Sequence, residues 1–491
     1  MSFFHGVKNI AVPTANGTVA VAPSCVIGLI GVSPWGPVQT LTLCNNATDD
    51  EQWSYNTPDN NIAKTLGIIR GVVSAATATM SKGGSSSDGS CAIVIVNVYN
   101  SGTNKVTFSL TNKVPDASTG KLALGVTILD ATLDLVEIHL NSDSSAVNVA
   151  AGGGYEYGTD YTLDVYGNFQ DITGNYMGVG LNFSGHKLDP TTVTGAQIIG
   201  GTSGSTKTGL ALLDRCMSTY GFKAKILITP TYNTLSGVAA AMEAAAGKFT
   251  GIYLSDMASG NTVSTALSAR GSGIWDTQAA QTRPVWPWMK AYDTWANADV
   301  IYPYAAFLAG MYVANDTVDG YWESVSNNQI PLIDGVEVEI STDFTDSGSE
   351  ANELNAAGIL TYMTGYGLGY NTWGNRNASF PASSSVLTFD NVYRTDGLVA
   401  DAMVQAALPF VDKGITAALI DVMKTSGNNF IKGLIQEGAL LPGSAITYDK
   451  ADNTAANLAA GKIAFRRTYM VVTPAEDIDY YDVLDVSLYV I

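Results

Sequence analysis

Ala92 to Val98 is an apolar run rich in Val and Ile, of strand length and with no polar face. Such a run cannot leave either side in water, so it is expected as a central strand of a sheet covered on both faces. Cys25 to Val32 gives the same signal, and Asn61 to Met80 has helical length before the Gly/Ser-rich stretch 82–89. From about Asn182 strands are expected to alternate with helices. A strand end falls at Ile198-Ile199, a helix over Leu210 to Tyr220 and a strand over Lys225 to Ile228. An Ala-rich helix over Leu235 to Ala246, a strand over Gly251 to Ser255 and a helix over Thr262 to Ala269 follow. That rhythm is the signature of an α/β domain.

Two regions break it. Between Asn104 and Gln170 short alternating runs recur between turn residues, as in Val106 to Leu110 and Val136 to Leu140. They predict an inserted antiparallel β domain, a small sandwich or barrel. Beyond Leu354 the pattern becomes α+β, with helices over Val399 to Ala407 and Ile415 to Ile435 and strands over Ala445 to Tyr448 and Lys462 to Val472. Residues 1–24 carry one formal charge, Lys8, and read as an extended arm. Glu476 to Ile491 carries Glu476, Asp477, Asp479, Asp482 and Asp485 with no base, and ends alternating as Val486, Leu488, Val490. A half-buried strand with no partner after it is an aggregation hazard unless a neighbour takes it up.

Composition narrows the function. At 491 residues the chain has room for several domains. Charged residues make up only 14%, which suits a surface largely covered by copies of itself. The net charge of −19, from 44 acids against 25 bases, argues against a nucleic-acid partner, which requires clustered Lys and Arg. The longest basic cluster is Arg466-Arg467, expected at a strand end. Cys25, Cys44, Cys91 and Cys216 are widely spaced and form neither a zinc site nor a disulfide framework; a reduced, cytoplasmic assembly compartment is expected. No secretory signal or membrane-spanning segment is expected either.

Several stretches imitate chemistry. Gly201 to Thr208 nearly matches a P-loop between a strand and a helix, and Asp256 ends a strand where a metal partner would stand. Thr206, however, occupies the position that needs glycine, so no nucleotide site is expected. A Ser-His-Asp triad would have to use His5, His139 or His186, the last near Asp189, and the chain has no Gly-x-Ser-x-Gly elbow. Asp343, Asp346 and Glu350 miss the EF-hand spacing and read as an acidic surface loop. Trp286-Pro287-Trp288 with Trp295 reads as a packed aromatic corner. In Trp373-Gly374-Asn375-Arg376 a tight turn is expected at Gly374, with Arg376 pairing with Glu350 or Asp412.

The order of pieces in the last third carries a resemblance. Glu350-Ala351-Asn352-Glu353-Leu354-Asn355 is followed by Trp373-Gly374-Asn375-Arg376, Arg394-Thr395, Phe410-Val411-Asp412-Lys413, the segment Asn453 to Ile463, and Thr473-Pro474. Met1 to Val7, the strand at Cys25 to Gly31, and Tyr321-Trp322 before Ser326-Asn327 extend it over most of the chain, leaving out roughly Asn100 to Gly174. This arrangement resembles the contractile tail sheath proteins of myophages, R-type bacteriocins and related injection machines. The resemblance implies an α/β and α+β multidomain protein. Its parts would be an N-terminal linker arm (1–24), the first part of the α/β core (25–99), an inserted β domain (100–174) and a subtilisin-like α/β domain without catalytic machinery (175–353). A tube-facing α+β inner domain (354–472) and a C-terminal linker arm (473–491) would follow.

It further implies a structural subunit without enzymatic activity, cofactor or metal. Its partners would be copies of itself, a tail tube protein, and baseplate and tail terminator proteins, with no nucleic acid contacted and no membrane entered. The place implied is the tail sheath of a virion assembled in a host bacterial cytoplasm. Phe4, His5, Val7, Ile10, Val12, Ile478, Val486, Leu488 and Val490 would link subunits through the arms. Trp373, Gly374, Asn375, Arg376, Asp412 and Lys413 would hold the inner domain. A bacteriocin or injection-system sheath is the alternative within the family. Outside it, the alternative is a secreted α/β hydrolase-like protein with a β adhesion module.

Overall fold

The computed structural model describes residues 23–33, 36–53, 61–81, 87–98, 193–203, 206–293, 297–365 and 367–485, and between 99 and 192 the backbone of the strands alone. The expectations placed on Phe4, His5, Val7, Ile10, Val12, Val486, Leu488, Val490, Asp189 and Trp295 lie outside the described residues. The chain divides into two compact units. The larger comprises Cys25–Gly320 and Val325–Thr388; the smaller comprises Tyr321–Ser324 and the chain from Phe389 onward.

The larger unit is built on a six-stranded sheet. Its strands are β1 (Ile27–Gly31), β2 (Leu41–Cys44), β3 (Ile93–Asn97), β4 (Ile226–Ile228), β5 (Ile252–Asp256) and β6 (Thr282–Val285), in the order β6-β5-β4-β1-β3-β2. All pairs are parallel except β2 with β3. The two apolar runs are indeed the centre: Ile27 stands opposite both Ile93 and Ile226, and every residue of β1 and β3 is buried.

Helices close both faces, as a parallel sheet requires. On one face Ile30, Val94, Val96 and Leu227 pack with α2 (Val238–Phe249) through Val238, Met242, Ala246 and Phe249. The buried ammonium of Lys225 caps the far end of α2, donating to the Phe249 carbonyl at 2.8 Å and to Thr250 Oγ1 at 2.6 Å. A cation there meets the negative end of the helix dipole. The other face is covered by α1 (Asn61–Met80) and α3 (Tyr304–Val318). Helix α3 is buried at every position from Tyr304 to Asn315, which is the mark of a core helix rather than an amphipathic one. It crosses α1 at Gly310, where an added Cβ would lie 2.8 Å from Val72 Cβ and 3.2 Å from the Ile69 carbonyl oxygen.

Three expectations change. Ile198-Ile199 is the end of a helix, Gly195–Ile199, not of a strand. Thr194 and Gln197 form a capping box, with Thr194 N–H donating to Gln197 Oε1 at 2.8 Å, and this local capping overrides the β preference of two isoleucines. The β-rich insertion runs further than expected. Antiparallel strands recur from Val106–Leu110 to Tyr176–Leu188, in one sheet of three strands and one of four. The boundary expected at 354 falls at Phe389, because the segment beyond 354 is hydrogen-bonded to β6. Leu360 N–H donates to the Pro284 carbonyl at 2.9 Å, Trp286 N–H to the Leu360 carbonyl at 3.0 Å, and Ala378 N–H to the Thr282 carbonyl at 2.9 Å.

The smaller unit packs α4 (Asp390–Ala407) and α5 (Ala417–Gln436) with a two-stranded antiparallel sheet of β7 (Ala445–Thr447) and β8 (Arg466–Thr468). Thr416 caps α5, its side chain accepting from Leu419 N–H at 3.1 Å. Val392, Leu398, Val399, Ile431, Leu434 and Val471 form its core together with Tyr321. Asn391 draws the Tyr321–Ser324 segment into this unit by donating to the Trp322 carbonyl at 2.8 Å and to the Val472 carbonyl at 3.0 Å.

Gly310→Val tests the helix crossing. Overpacking at a site this close costs on the order of 1–3 kcal/mol. Urea unfolding of the larger unit should shift to lower concentration by a matching amount, whereas Gly67→Ala, where nothing lies within 4 Å, should not lower it.

Candidate assembly surface

The apparent chemical sites are consumed by the fold. Gly201–Ser203 and Thr206–Thr208 form an antiparallel hairpin, not a strand-to-helix cradle. Lys207, which a P-loop would aim at phosphate, instead pairs with Asp214 at 2.6 Å, and Lys248 pairs with the other oxygen of the same carboxylate at 2.5 Å. Asp256 is buried at the start of α3, where its Oδ1 accepts from Ala305 N–H at 2.8 Å and its carbonyl accepts from Asn233 Nδ2. Burial pushes its carboxyl up to about 7 against the opposing pull of the Ala305 and Tyr304 amides. The acidic loop caps itself: Asp343 accepts from Thr345 N–H, Asp346 from Gly348 N–H and Glu350 from Ser341 N–H, each at 2.8 Å. Among the described residues no group of His, Cys, Asp and Glu could hold a metal, and no helix is long and apolar enough to cross a membrane. His139 and His186 lie on paired strands of the insertion.

Trp286 is fully buried, and Trp288 donates to the Met257 carbonyl at 2.8 Å, so both belong to the packed corner. Trp373 to Arg376 lie in the larger unit, and Asp412 and Lys413 in the smaller. Gly374 has φ +115°, and a Cβ there would sit 2.5 Å from the Asn355 side-chain amide. With its amide oriented to satisfy both neighbours, Asn355 accepts from Trp373 Nε1 at 3.0 Å and donates to the Ile359 carbonyl at 2.9 Å. Gly374 N–H donates to Ser326 Oγ at 3.0 Å. Arg376 donates to Thr388 Oγ1 at 2.6 Å and lies over the Phe380 ring at 4.8 Å. These residues lock local backbone. Asp412 holds a left-handed turn at φ 62°, and Lys413 N–H closes it on the Phe410 carbonyl at 3.2 Å.

What remains unsatisfied is a surface. Residues 473–485 form no strand or helix, and their apolar side chains stand in solvent: Tyr480 is 85% exposed, Leu484 96%, with Ile478, Tyr481 and Val483 also exposed. In the same unit, the two-stranded sheet has one closed edge and, among the described residues, one open edge. Asn428 clamps Ile446, donating to its carbonyl and accepting from its N–H, both at 2.9 Å. Ile446 stands opposite Arg467, so in this antiparallel pair the Arg467 N–H and C=O point away from β7, along the outer edge of β8. Among the described residues no strand pairs with that edge. Arg466-Arg467 was legible as a strand end, but the clamp that leaves its edge open was not.

No protein-family model matches the chain. A tail sheath protein of Burkholderia phage BcepMu is 32% identical over 487 residues, covering 98% of this chain and 96% of that one. The chain belongs to the tail sheath protein family. Two solved structures share the fold of this sheath protein along its whole length. The helical sheath of the anti-feeding prophage in its contracted state has a TM-score of 0.59 at 15% identity, covering 99% of this chain and 100% of that one. The PVC sheath complex of an extracellular contractile injection system, also contracted, has a TM-score of 0.57 at 13% identity, covering 99% of each chain.

Two variants test the roles that the sheath protein gives Lys207 and Asp256. Lys207→Ala leaves Asp214 its Lys248 partner, so stability should change by no more than about 1 kcal/mol. Isothermal titration should register no ATP binding by the natural protein or the variant; micromolar affinity lost with Lys207 would restore the P-loop reading. For Asp256, a native carboxyl held near 7 means the unfolded chain ionises first as pH rises from about 4. Stability contributed by the protonated form is therefore lost towards pH 7. Asp256→Asn keeps the acceptor without the charge, and its melting temperature relative to the natural protein should rise between pH 5 and pH 8.

Proposed function

We propose that this chain polymerises as stacked rings around a tail tube and contracts to drive that tube through a bacterial envelope. The observation that carries the proposal is the pairing of an exposed, strand-patterned, apolar C-terminal segment with an open sheet edge in the same unit. An exposed apolar segment gains hydrogen bonds and apolar burial by adding to a neighbour's β8. The N-terminal arm is the second linker, and the two arms keep subunits connected while the lattice rearranges. Stored energy is then the difference in interface free energy between two lattices, summed over many copies. The insertion between β3 and Val193 is an outward β domain, the larger unit follows the subtilisin topology without its catalytic machinery, and the smaller unit faces the tube. No bond chemistry is part of the function. The tube, baseplate and terminator proteins are its partners beyond itself, and the sheath is assembled in the host cytoplasm and carried on the virion.

Truncation after Thr473 tests the proposal, because it removes the exposed segment and leaves β8 intact. Circular dichroism and thermal unfolding should match the full chain, while negative-stain microscopy should show no sleeves. Normal sleeves from the truncated protein would remove the segment as a linker.

A further inference from the structure

Two of the cysteines stand side by side at the start of the central strands. Ile27 on β1 is opposite Ile93 on β3, and Leu29 opposite Ile95, in parallel register. Two residues earlier on each strand come Cys25 and Cys91. Ile27 N–H donates to the Ala92 carbonyl at 3.0 Å, so the pairing reaches back beyond the first residue of β3. Neighbouring strands lie about 4.8 Å apart. A disulfide joins Cα atoms about 4.4–6.8 Å apart, so a pair in this register falls within bridging range.

The two side chains also share a face. Val26, Ile30, Val94 and Val96 pack on the α2 side of the sheet. Side chains alternate along a strand, which turns Cys25 and Cys91 towards α1. Arg70 of α1 accordingly donates to Cys91 Sγ at 3.2 Å. Burial pushes the Cys91 thiol up to about 12; the Arg70 guanidinium opposes this and the neighbouring Cys25 adds to it. Cys25 and Cys91 are half-buried, whereas Cys44 and Cys216 are buried. Cys44 Sγ accepts from Trp53 Nε1 at 3.3 Å, and Cys44 stands opposite Ile93, diagonal to Cys91.

Resting on the reading that the sheath leaves the host cytoplasm on the virion, we propose that Cys25 and Cys91 form a redox modification site, joined as a disulfide when the protein meets small-molecule disulfides outside the reducing cell. The thiolate of one cysteine attacks the external disulfide, forming a mixed disulfide and expelling one small thiolate. The other cysteine's thiolate attacks the protein sulphur of that mixed disulfide, forming the Cys25–Cys91 bond and expelling the second. The two protons lost by the cysteines pass to the two expelled thiolates. The protein loses two electrons and the external disulfide gains them. Arg70 keeps its place when the thiol is consumed, because it also donates to Asp50 and to the carbonyls of Cys44, Asn45 and Cys91. A thiol held this high is a slow attacker and a poor leaving group. The bond therefore forms slowly and, once formed, resists reduction, which makes it a lock set once. It closes the chain from 25 to 91, a loop that holds β2 and α1.

The test treats the full chain, purified under reductant and kept unassembled, with oxidised glutathione at mildly alkaline pH. Thiols titrated in denaturant should fall from four to two. Peptide mass mapping with fragmentation, done without reductant, should find Cys25 joined to Cys91 within one chain. The melting temperature should rise by about 5 °C and return when dithiothreitol is added. Cys25→Ser and Cys91→Ser should each abolish the rise, and Cys216→Ser should keep it. Mapping of the natural protein needs no variant, so the test survives if a serine variant fails to fold. Four thiols persisting after prolonged treatment would overturn the proposal. So would glutathione retained on Cys25 or Cys91, a bridge to Cys44, or a bridge between chains. Because the bond is read on unassembled protein, its failure leaves the sheath reading standing; bridging by a full chain that forms no sleeves would count against the sheath reading alone.

Discussion

A parallel sheet must be covered on both faces, and in this chain one of those covers depends on a helix with no polar side. Helix α3 can be buried from Tyr304 to Asn315 only because α1 approaches it closely at Gly310 and because its first free amides are taken up by Asp256. The carboxylate and the glycine solve two halves of one problem. Without the acceptor, a helix start would be buried with unpaired N–H groups; without the glycine, the helices could not approach closely enough to exclude water from the sheet. The strands above them then follow from apolar pattern alone.

That hierarchy explains what could be read from the sequence. β1, β3 and α1 were legible because their apolar pattern is long and uninterrupted, and the match with the structure is within a residue or two. The helices around Val238–Phe249 and Ala417–Gln436 were legible from their length and composition. Short elements were not. A capping box turned Ile198-Ile199 into a helix end, and a hairpin register turned a near P-loop into paired strands. The boundary at Phe389 was also hidden, since it is set by hydrogen bonds between Pro284 and Leu360, residues that are neighbours only after folding.

For the candidate surface, the composition of the C-terminal segment was plain in the sequence, and so was the Arg466-Arg467 pair. The open edge of β8 was not, because it requires knowing which edge of the two-stranded sheet Asn428 has already closed. Arg376 donates to Thr388 Oγ1 and lies over the Phe380 ring, two contacts that its charge alone did not indicate.

The crossing at Gly310 has a mechanical consequence. Close-packed interiors have low compressibility, and a helix walled in on every side has no soft layer through which to yield. A load applied to the larger unit is therefore transmitted as displacement rather than absorbed as deformation. The 473–485 segment, which forms no strand or helix and leaves its apolar side chains in solvent, is the compliant element. In a lattice of such subunits, stiffness would reside in the sheet and stretch in the tail, like rigid links joined by short tethers.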